Sequence, residues 1–92
     1  MKELYCSENQ LTSLPESIGE FENLYILDCH NNQLTSLPTL PQKLTYLYCS
    51  NNQLSLLPEL PEGLELLDCD INRLIELPEI PKSLKELYCS IK

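Results

Sequence analysis

The sequence predicts an α/β-type solenoid, a right-handed coil with one parallel β-sheet along its concave side. Three observations lead to this prediction. A unit of about 20 residues recurs along the chain, a short segment of alternating side chains opens each unit, and paired prolines close three of the units. Units of this kind cannot bury their apolar side chains alone, so they stack on their neighbours and share one continuous core.

The cysteines mark the repeat most clearly. They are separated by 23, 20, 20 and 20 residues, and a leucine lies two positions before each of them. In four units an asparagine follows three positions after the cysteine, and two leucines and a proline follow the asparagine. We therefore expect one domain over 1–92, divided into repeats at 1–23, 24–43, 44–63, 64–83 and a partial repeat at 84–92.

The segment before each cysteine predicts a strand with one buried face. In "YLYC" at 46–49, Leu47 and Cys49 fall on one side and Tyr48 on the other, which is the period of two that a half-buried strand shows. The prolines of "LPELP" at 57–61 exclude a helix interior and a central strand. This segment therefore predicts an extended, polyproline-like return path on the convex side.

The repeated pattern L-x-x-L-x-C-x-x-N-x-L-x-x-L-P resembles that of leucine-rich repeat proteins over essentially the whole chain. The endings "LPELP" and "LPEIP" are most similar to the short 20-residue repeats of secreted bacterial effectors. The segment "LPESIGEFENL" at 14–24 departs from them and resembles a longer class of repeat, which implies a short helical turn near 16–22. The resemblance implies a recognition scaffold that is not an enzyme and that acts in the cytoplasm or, after export, in a host cytosol.

We expect the five cysteines to be buried and reduced. Neighbouring strands lie about 4.8 Å apart, so a straight row of sulfurs brings at most two within reach of one zinc ion, which needs three or four ligands. A neighbouring pair fits the Cα separation of a disulfide but not its closer Cβ approach. No metal, cofactor or disulfide is therefore expected, and a chain without an apolar leader favours a reducing compartment.

Catalysis by a cysteine is also not expected. A reactive thiol needs exposure and a nearby base, but His30 adjoins Cys29 and so points to the opposite face. Cys69 and Asp70 resemble the cysteine and acid of ubiquitin-ligase effectors, yet four other cysteines share the repeat position of Cys69. Similarly, we expect Asp28 and His30 to contact a partner rather than a metal.

The asparagines are expected to support the coil rather than bind a ligand. Asn9, Asn32, Asn52 and Asn72 lie where the chain turns from strand to return path. A buried amide at such a turn can satisfy backbone groups of its own coil and of the adjacent coil. This repetition predicts a ladder of amides along the solenoid.

The outward positions of the strands are the candidate partner-binding residues. The residue before each cysteine alternates between tyrosine and aspartate, and apolar residues lie two positions earlier in the central units. Aromatic anchors among polar groups are typical of protein-binding surfaces, although such residues also suit a parallel sheet without any partner. The predicted binding residues are Tyr5, Ile26, Asp28, Tyr46, Tyr48, Leu66, Asp68 and Tyr88.

The charge balance indicates what kind of partner to expect. With 14 acidic and 6 basic residues, the formal net charge is −8, which argues against nucleic acid and anionic membranes. We expect the partner to be another protein or peptide, with a basic segment.

The alternative is a structural spacer or a fragment of a longer array, whose function lies in other domains or in self-association. Because no caps are visible and Lys92 stands in place of the ladder asparagine, end-to-end stacking through Met1 and Leu4 or through Leu84 and Leu87 is expected.

Overall fold

Five short strands at the repeat positions form the sheet. In the computed structural model, which describes residues 1–90, the strands are β1 (Glu3–Tyr5), β2 (Ile26–Asp28), β3 (Tyr46–Tyr48), β4 (Leu66–Asp68) and β5 (Glu86–Tyr88). They pair in parallel in chain order, β1-β2-β3-β4-β5, and equivalent repeat positions lie opposite one another. The predicted solenoid with one parallel sheet is confirmed.

The core lies directly behind the sheet. The middle leucine of each central strand and the cysteine after it are fully buried, while the residues between them are half-buried. Leucines of the turns and return segments complete the same core. Because burying one leucine contributes about 1.5–3 kcal/mol, the stacked leucines are the main source of stability. The fully buried strand leucines are Leu27, Leu47 and Leu67.

The return segments are irregular apart from one 3-10 helix at Glu16–Glu20, where the sequence predicts a short turn. Gly19 of this helix lies close to the next coil, since a Cβ there would be 2.7 Å from the carbonyl oxygen of Thr39. Two prolines of these segments, Pro38 and Pro41, are buried, and Pro41 is fully buried. Within residues 1–90, no helix is long and apolar enough to cross a bilayer.

A left-handed residue follows each of the first four strands. The φ angles of Glu8, Asn31, Asn51 and Ile71 are 57°, 57°, 56° and 53°, and each residue lies two positions after a cysteine. Asparagine tolerates this conformation better than other residues with a side chain, whereas a β-branched residue is strained in it. The equivalent position in the final unit, and the replacement of a ladder asparagine by Lys92, lie outside the described residues.

The left-handed turn at Ile71 predicts a stabilising substitution. Ile71→Asn should raise the free energy of unfolding by about 1 kcal/mol, because asparagine adopts φ of 53° at lower cost. Little apolar burial is lost, since Ile71 is 66% exposed. Urea unfolding measures the effect. Ile75→Asn is the matched control, as Ile75 is 69% exposed in the same coil and has no positive φ. An equal change in both variants would contradict the explanation by backbone strain.

Candidate functional site

The strand residues that face away from the core form two rows across the concave face. The residue before each cysteine forms the tyrosine–aspartate row: Tyr5, Asp28, Tyr48, Asp68 and Tyr88. The residues two positions earlier form the apolar row, whose three central members lie between two glutamates: Glu3, Ile26, Tyr46, Leu66 and Glu86. All eight residues predicted from the sequence stand in these two rows.

The centre of the two rows is a continuous, half-buried patch. The outward residues of β2, β3 and β4 are all half-buried, because each has a neighbouring strand on both sides. By contrast, Tyr5 and Tyr88 on the edge strands are 59% and 47% exposed. The patch therefore combines two aliphatic side chains with two tyrosines and two carboxylates: Ile26, Leu66, Tyr46, Tyr48, Asp28 and Asp68.

The two aspartates of the patch are oriented in the same way. The backbone N–H of His30 donates to Oδ1 of Asp28 at 3.2 Å, and the N–H of Asp70 approaches Oδ1 of Asp68 at 3.4 Å. Nδ1 of His30 contacts the same oxygen of Asp28. These contacts hold both carboxylates in place on the concave surface. Among residues 1–90, no three His, Cys, Asp or Glu side chains are grouped as metal ligands.

Tyrosine–glutamate hydrogen bonds mark the two ends of the sheet. The hydroxyls of Tyr5 and Tyr25 donate to Glu3 at 2.9 and 2.8 Å, and the hydroxyl of Tyr88 donates to Glu86 at 2.8 Å. The hydroxyl of Tyr25, and then that of Tyr5, lowers the pKa of Glu3. Hydrogen bonding to the carboxylates raises the pKa of all three tyrosines. The carboxylates of Glu3 and Glu86 at the two ends therefore each accept hydrogen bonds from tyrosine hydroxyls.

Tyr25 also contributes to this surface, although it lies outside the predicted strand positions. Its ring packs edge-on against Tyr46, with the ring centroids 6.5 Å apart and the planes at 65°. It lies one residue before β2, at a position filled by lysine, threonine or glutamate in other units. The sequence feature that could have identified Tyr25 is an aromatic residue directly before a strand, with another aromatic residue on the neighbouring strand.

The cysteines form a row inside the coil, as predicted, but the row is not uniformly buried. Cys29, Cys49 and Cys69 are fully buried, whereas Cys6 and Cys89 beside the edge strands are half-buried. The prediction that all five are buried is therefore wrong for these two, because each has a neighbouring coil on one side only. All five are free thiols in the structure.

Burial also determines the chemistry of the inner thiols. It raises the pKa of Cys29 to about 12 and raises those of Cys49 and Cys69 as well. The thiolate is the nucleophilic form of cysteine, so these side chains are protonated and weakly reactive at neutral pH. In this environment they behave as small apolar core residues.

The predicted amide ladder is present in the interior of the solenoid. Asn32, Asn52 and Asn72 are buried, with 7–8% exposure. The Nδ2 group of Asn52 donates to the carbonyls of Cys49, in its own coil, and Cys29, in the previous coil. Asn9 differs because it is exposed and donates only to carbonyls of its own coil. The expectation of a buried amide is therefore wrong at Asn9.

The apolar residues proposed for end-to-end stacking are partly accessible. Met1 and Leu87 are 66% and 43% exposed, while Leu4 and Leu84 are half-buried and pack against the core. These exposures make stacking feasible. Self-association through these residues stays a prediction.

Family models match the chain over most of its described length. A model of two leucine-rich repeat copies matches residues 1–42, and a model of a single leucine-rich repeat matches 43–64. Together the two matches cover more than half of the 92 residues. No curated protein matches the chain in the sequence comparison.

Solved structures of bacterial proteins superpose closely on the chain. YopM from Yersinia enterocolitica WA-314 matches with 41% identity and a TM-score of 0.91, over 99% of this chain and 20% of that one. The leucine-rich repeat domain of a Shigella effector matches with 39% identity and a TM-score of 0.92, over 99% of this chain and 42% of that one. The chain thus spans less than half the length of either matched chain.

Proposed function

Because the chain belongs to the leucine-rich repeat family, we propose that it is a non-enzymatic module that binds another protein through its concave face. Leucine-rich repeat domains generally bind other proteins. The observation that favours this face is the continuous patch of half-buried apolar and aromatic side chains at its centre, with two oriented carboxylates. The patch lies on residues that the repeat pattern does not fix.

The composition of the patch suits a protein partner. Tyrosine is enriched at the energetic centres of protein interfaces, where it supplies a large apolar area together with a polar hydroxyl. Tyr46 and Tyr48 lie at the middle of the five-stranded sheet, which leaves room for contacts on either side. The aspartates beside them favour a partner with a basic segment. Their negative charge also accelerates the encounter of such a segment with this chain.

The inner cysteines support a structural rather than a catalytic assignment. Their raised pKa values keep them protonated, and their sulfurs lie in the core instead of on the candidate surface. A row of reduced thiols fits a reducing cytosol, either that of the producing cell or that of a host after export. The similarity to a Shigella effector domain favours the second location.

The binding proposal is tested with variants that change one face only. Chains of residues 1–92 carrying Tyr48→Ala with Asp68→Asn, or Leu56→Ala with Glu59→Gln as the control, are used to capture proteins from candidate host and bacterial extracts. Both pairs remove one large side chain and one negative charge, but Leu56 and Glu59 are exposed outside the sheet. We expect a captured protein to be lost with the first pair and kept with the second, at unchanged circular dichroism.

The same experiment separates the module from a structural spacer. If the two variant pairs capture the same proteins as the unmodified chain, the concave face has no binding role of its own. In that case the chain would be a spacer within a larger repeat array, and its function would lie elsewhere. Loss of binding in the control pair would place the binding surface away from the sheet.

A further inference from the structure

We propose that the concave face binds a basic polyproline-type segment in which two cationic residues stand three positions apart. One cation pairs with Asp28 and the other with Asp68, and the segment crosses the strands above Tyr48. This inference deepens the proposed function and rests on it, because it specifies the chemistry of the partner at the same face. It follows from the spacing, orientation and surroundings of the two carboxylates.

The spacing of the aspartates matches a polyproline helix. Asp28, Tyr48 and Asp68 are register partners on three consecutive strands, and neighbouring strands lie about 4.8 Å apart, so the backbones that carry the two aspartates are about 9.6 Å apart. Three residues of a polyproline helix rise about 9.3 Å, and its threefold turn places residues i and i+3 on the same side. Two cations with this spacing can therefore meet both aspartates at once.

Other backbone conformations fit these positions less well. In an extended β-segment, residues i and i+3 point to opposite sides, so only one of two such cations would face the aspartates. An α-helix would need cations at i and i+7, and it is about 10 Å wide with its side chains. The two rows on the concave face are separated by two residues along each strand, or about 6.6 Å, which suits a narrow segment.

The carboxylates are prepared for cations before binding. Oδ1 of each aspartate already contacts the backbone N–H group two residues further on, and Nδ1 of His30 contacts Oδ1 of Asp28 as well, which leaves Oδ2 of each aspartate for an incoming cation. Both aspartates are half-buried, and an ion pair formed there is less screened than one on an open surface. The chain's formal charge of −8 attracts such a segment from a distance.

The remaining side chains of the patch suit the other residues of such a segment. Tyr48 stands between the aspartates and offers its ring to an ammonium or guanidinium group. Along the apolar row, Ile26, Tyr46 and Leu66 run parallel to Asp28–Tyr48–Asp68. They can accept prolines, or other apolar residues, from the second side of the polyproline helix. The favoured sequence therefore alternates cations with prolines rather than clustering basic residues.

The test compares short fluorescent peptides that differ only in the spacing of two lysines. Each peptide has the same proline-rich composition and the same net charge, with the lysines at i and i+2, i and i+3, or i and i+4. Binding to the full-length chain is followed by fluorescence anisotropy at constant ionic strength. Because two partly shielded ion pairs form only with the matched spacing, we expect the i,i+3 peptide to bind about five- to tenfold more tightly.

Charge-removing variants then locate the peptide. Asp28→Asn and Asp68→Asn should each weaken binding of the i,i+3 peptide about five- to tenfold and so remove its advantage over the other spacings. Glu59→Gln, which removes a charge from an exposed return segment, should leave the spacing preference unchanged. An equal loss in all three variants would mean that only net charge is sensed, which overturns the proposal.

Two other results would overturn the inference without overturning the proposed function. Equal binding of the three peptides, or no binding of any, would show that the matched spacing is not recognised. If a helical peptide with lysines at i and i+7 binds more tightly than the i,i+3 peptide, the preferred ligand is a helix and not a polyproline segment. The capture experiment with the Tyr48→Ala and Asp68→Asn pair decides separately whether the concave face binds a protein at all.

Discussion

Leu47→Ala should lower the free energy of unfolding by about 2–5 kcal/mol, the range typical of removing a buried leucine from a well-packed core. Leu47 is fully buried in the central strand, and it lies between Leu27 and Leu67 of the neighbouring strands. The interior of a solenoid is built from repeated backbone turns, so it cannot collapse easily around the lost side chain. We therefore expect a result near the upper half of this range.

Leu56→Ala is the matched control for this experiment. Leu56 belongs to the same coil as Leu47 but is 58% exposed, so its replacement should change the free energy of unfolding by about 0.5 kcal/mol or less. Urea unfolding monitored by circular dichroism measures both variants. Equal destabilisation by the two substitutions would contradict the assignment of Leu47 to the core and of Leu56 to the surface.

The second large effect is expected at the amide ladder. Asn52→Ala should lower the free energy of unfolding by about 3 kcal/mol, mainly because a buried donor loses its partner. Oδ1 of Asn52 accepts the backbone N–H of Leu34, a fully buried residue, at 3.0 Å. The carbonyl of Cys49 keeps a bond from the next ladder amide, that of Asn72, at 3.0 Å. The unpaired N–H of Leu34 is therefore the main cost.

Asn9→Ala distinguishes the ladder from a general role of asparagine in turns. Asn9 is exposed and bonds only to the carbonyls of Cys6 and Ser7 in its own coil. Its replacement should cost about 1 kcal/mol or less, because water can satisfy the same groups. The two variants are compared by urea unfolding under identical conditions. Similar losses in both would show that bonds between coils are not what makes the ladder important.

The interior of this protein could be predicted from the sequence because every coil repeats it. Leu47 and Cys49 have equivalents in each unit. Because side chains alternate along a strand, these two lie on the same face, which is the face toward the core. The repeated asparagine predicted the ladder for the same reason. The proline pairs excluded helix interiors and central strands from the return segments, and the resemblance of the first unit to a longer class of repeat implied the short turn that the structure shows as a 3-10 helix at Glu16–Glu20. These features depend on local sequence and stacking, which the period specifies.

Features that depend on position along the solenoid were less predictable. Cys6 and Cys89 share the repeat pattern of the buried thiols, but each lies beside an edge strand and is covered from one side only. The left-handed turn was not predicted, because isoleucine at 71 obscures the preference that Asn31 and Asn51 express. A repeat pattern describes an average coil, whereas exposure and strain depend on the individual coil.

The concave face was predictable in outline but not in its contacts. Alternation placed Tyr48 and Asp68 on the outer side, and the observed register places them beside each other. The edge-on packing of Tyr25 on Tyr46, and the contact of His30 with Asp28, depend on side-chain conformations that the sequence pattern does not specify. These contacts fix the shape of the surface that a partner would meet.

Thiol labelling in the native state tests the central claim of this account most directly, namely that the sulfurs lie inside the coil and their tyrosine and aspartate neighbours lie outside. The reduced chain is treated with iodoacetamide, and the modification of each cysteine is followed over time by peptide mass spectrometry. We expect Cys6 and Cys89 to react first, and Cys29, Cys49 and Cys69 to react only when urea unfolds the chain. Modification of Cys49 in the folded chain as fast as that of Cys6 would contradict the account.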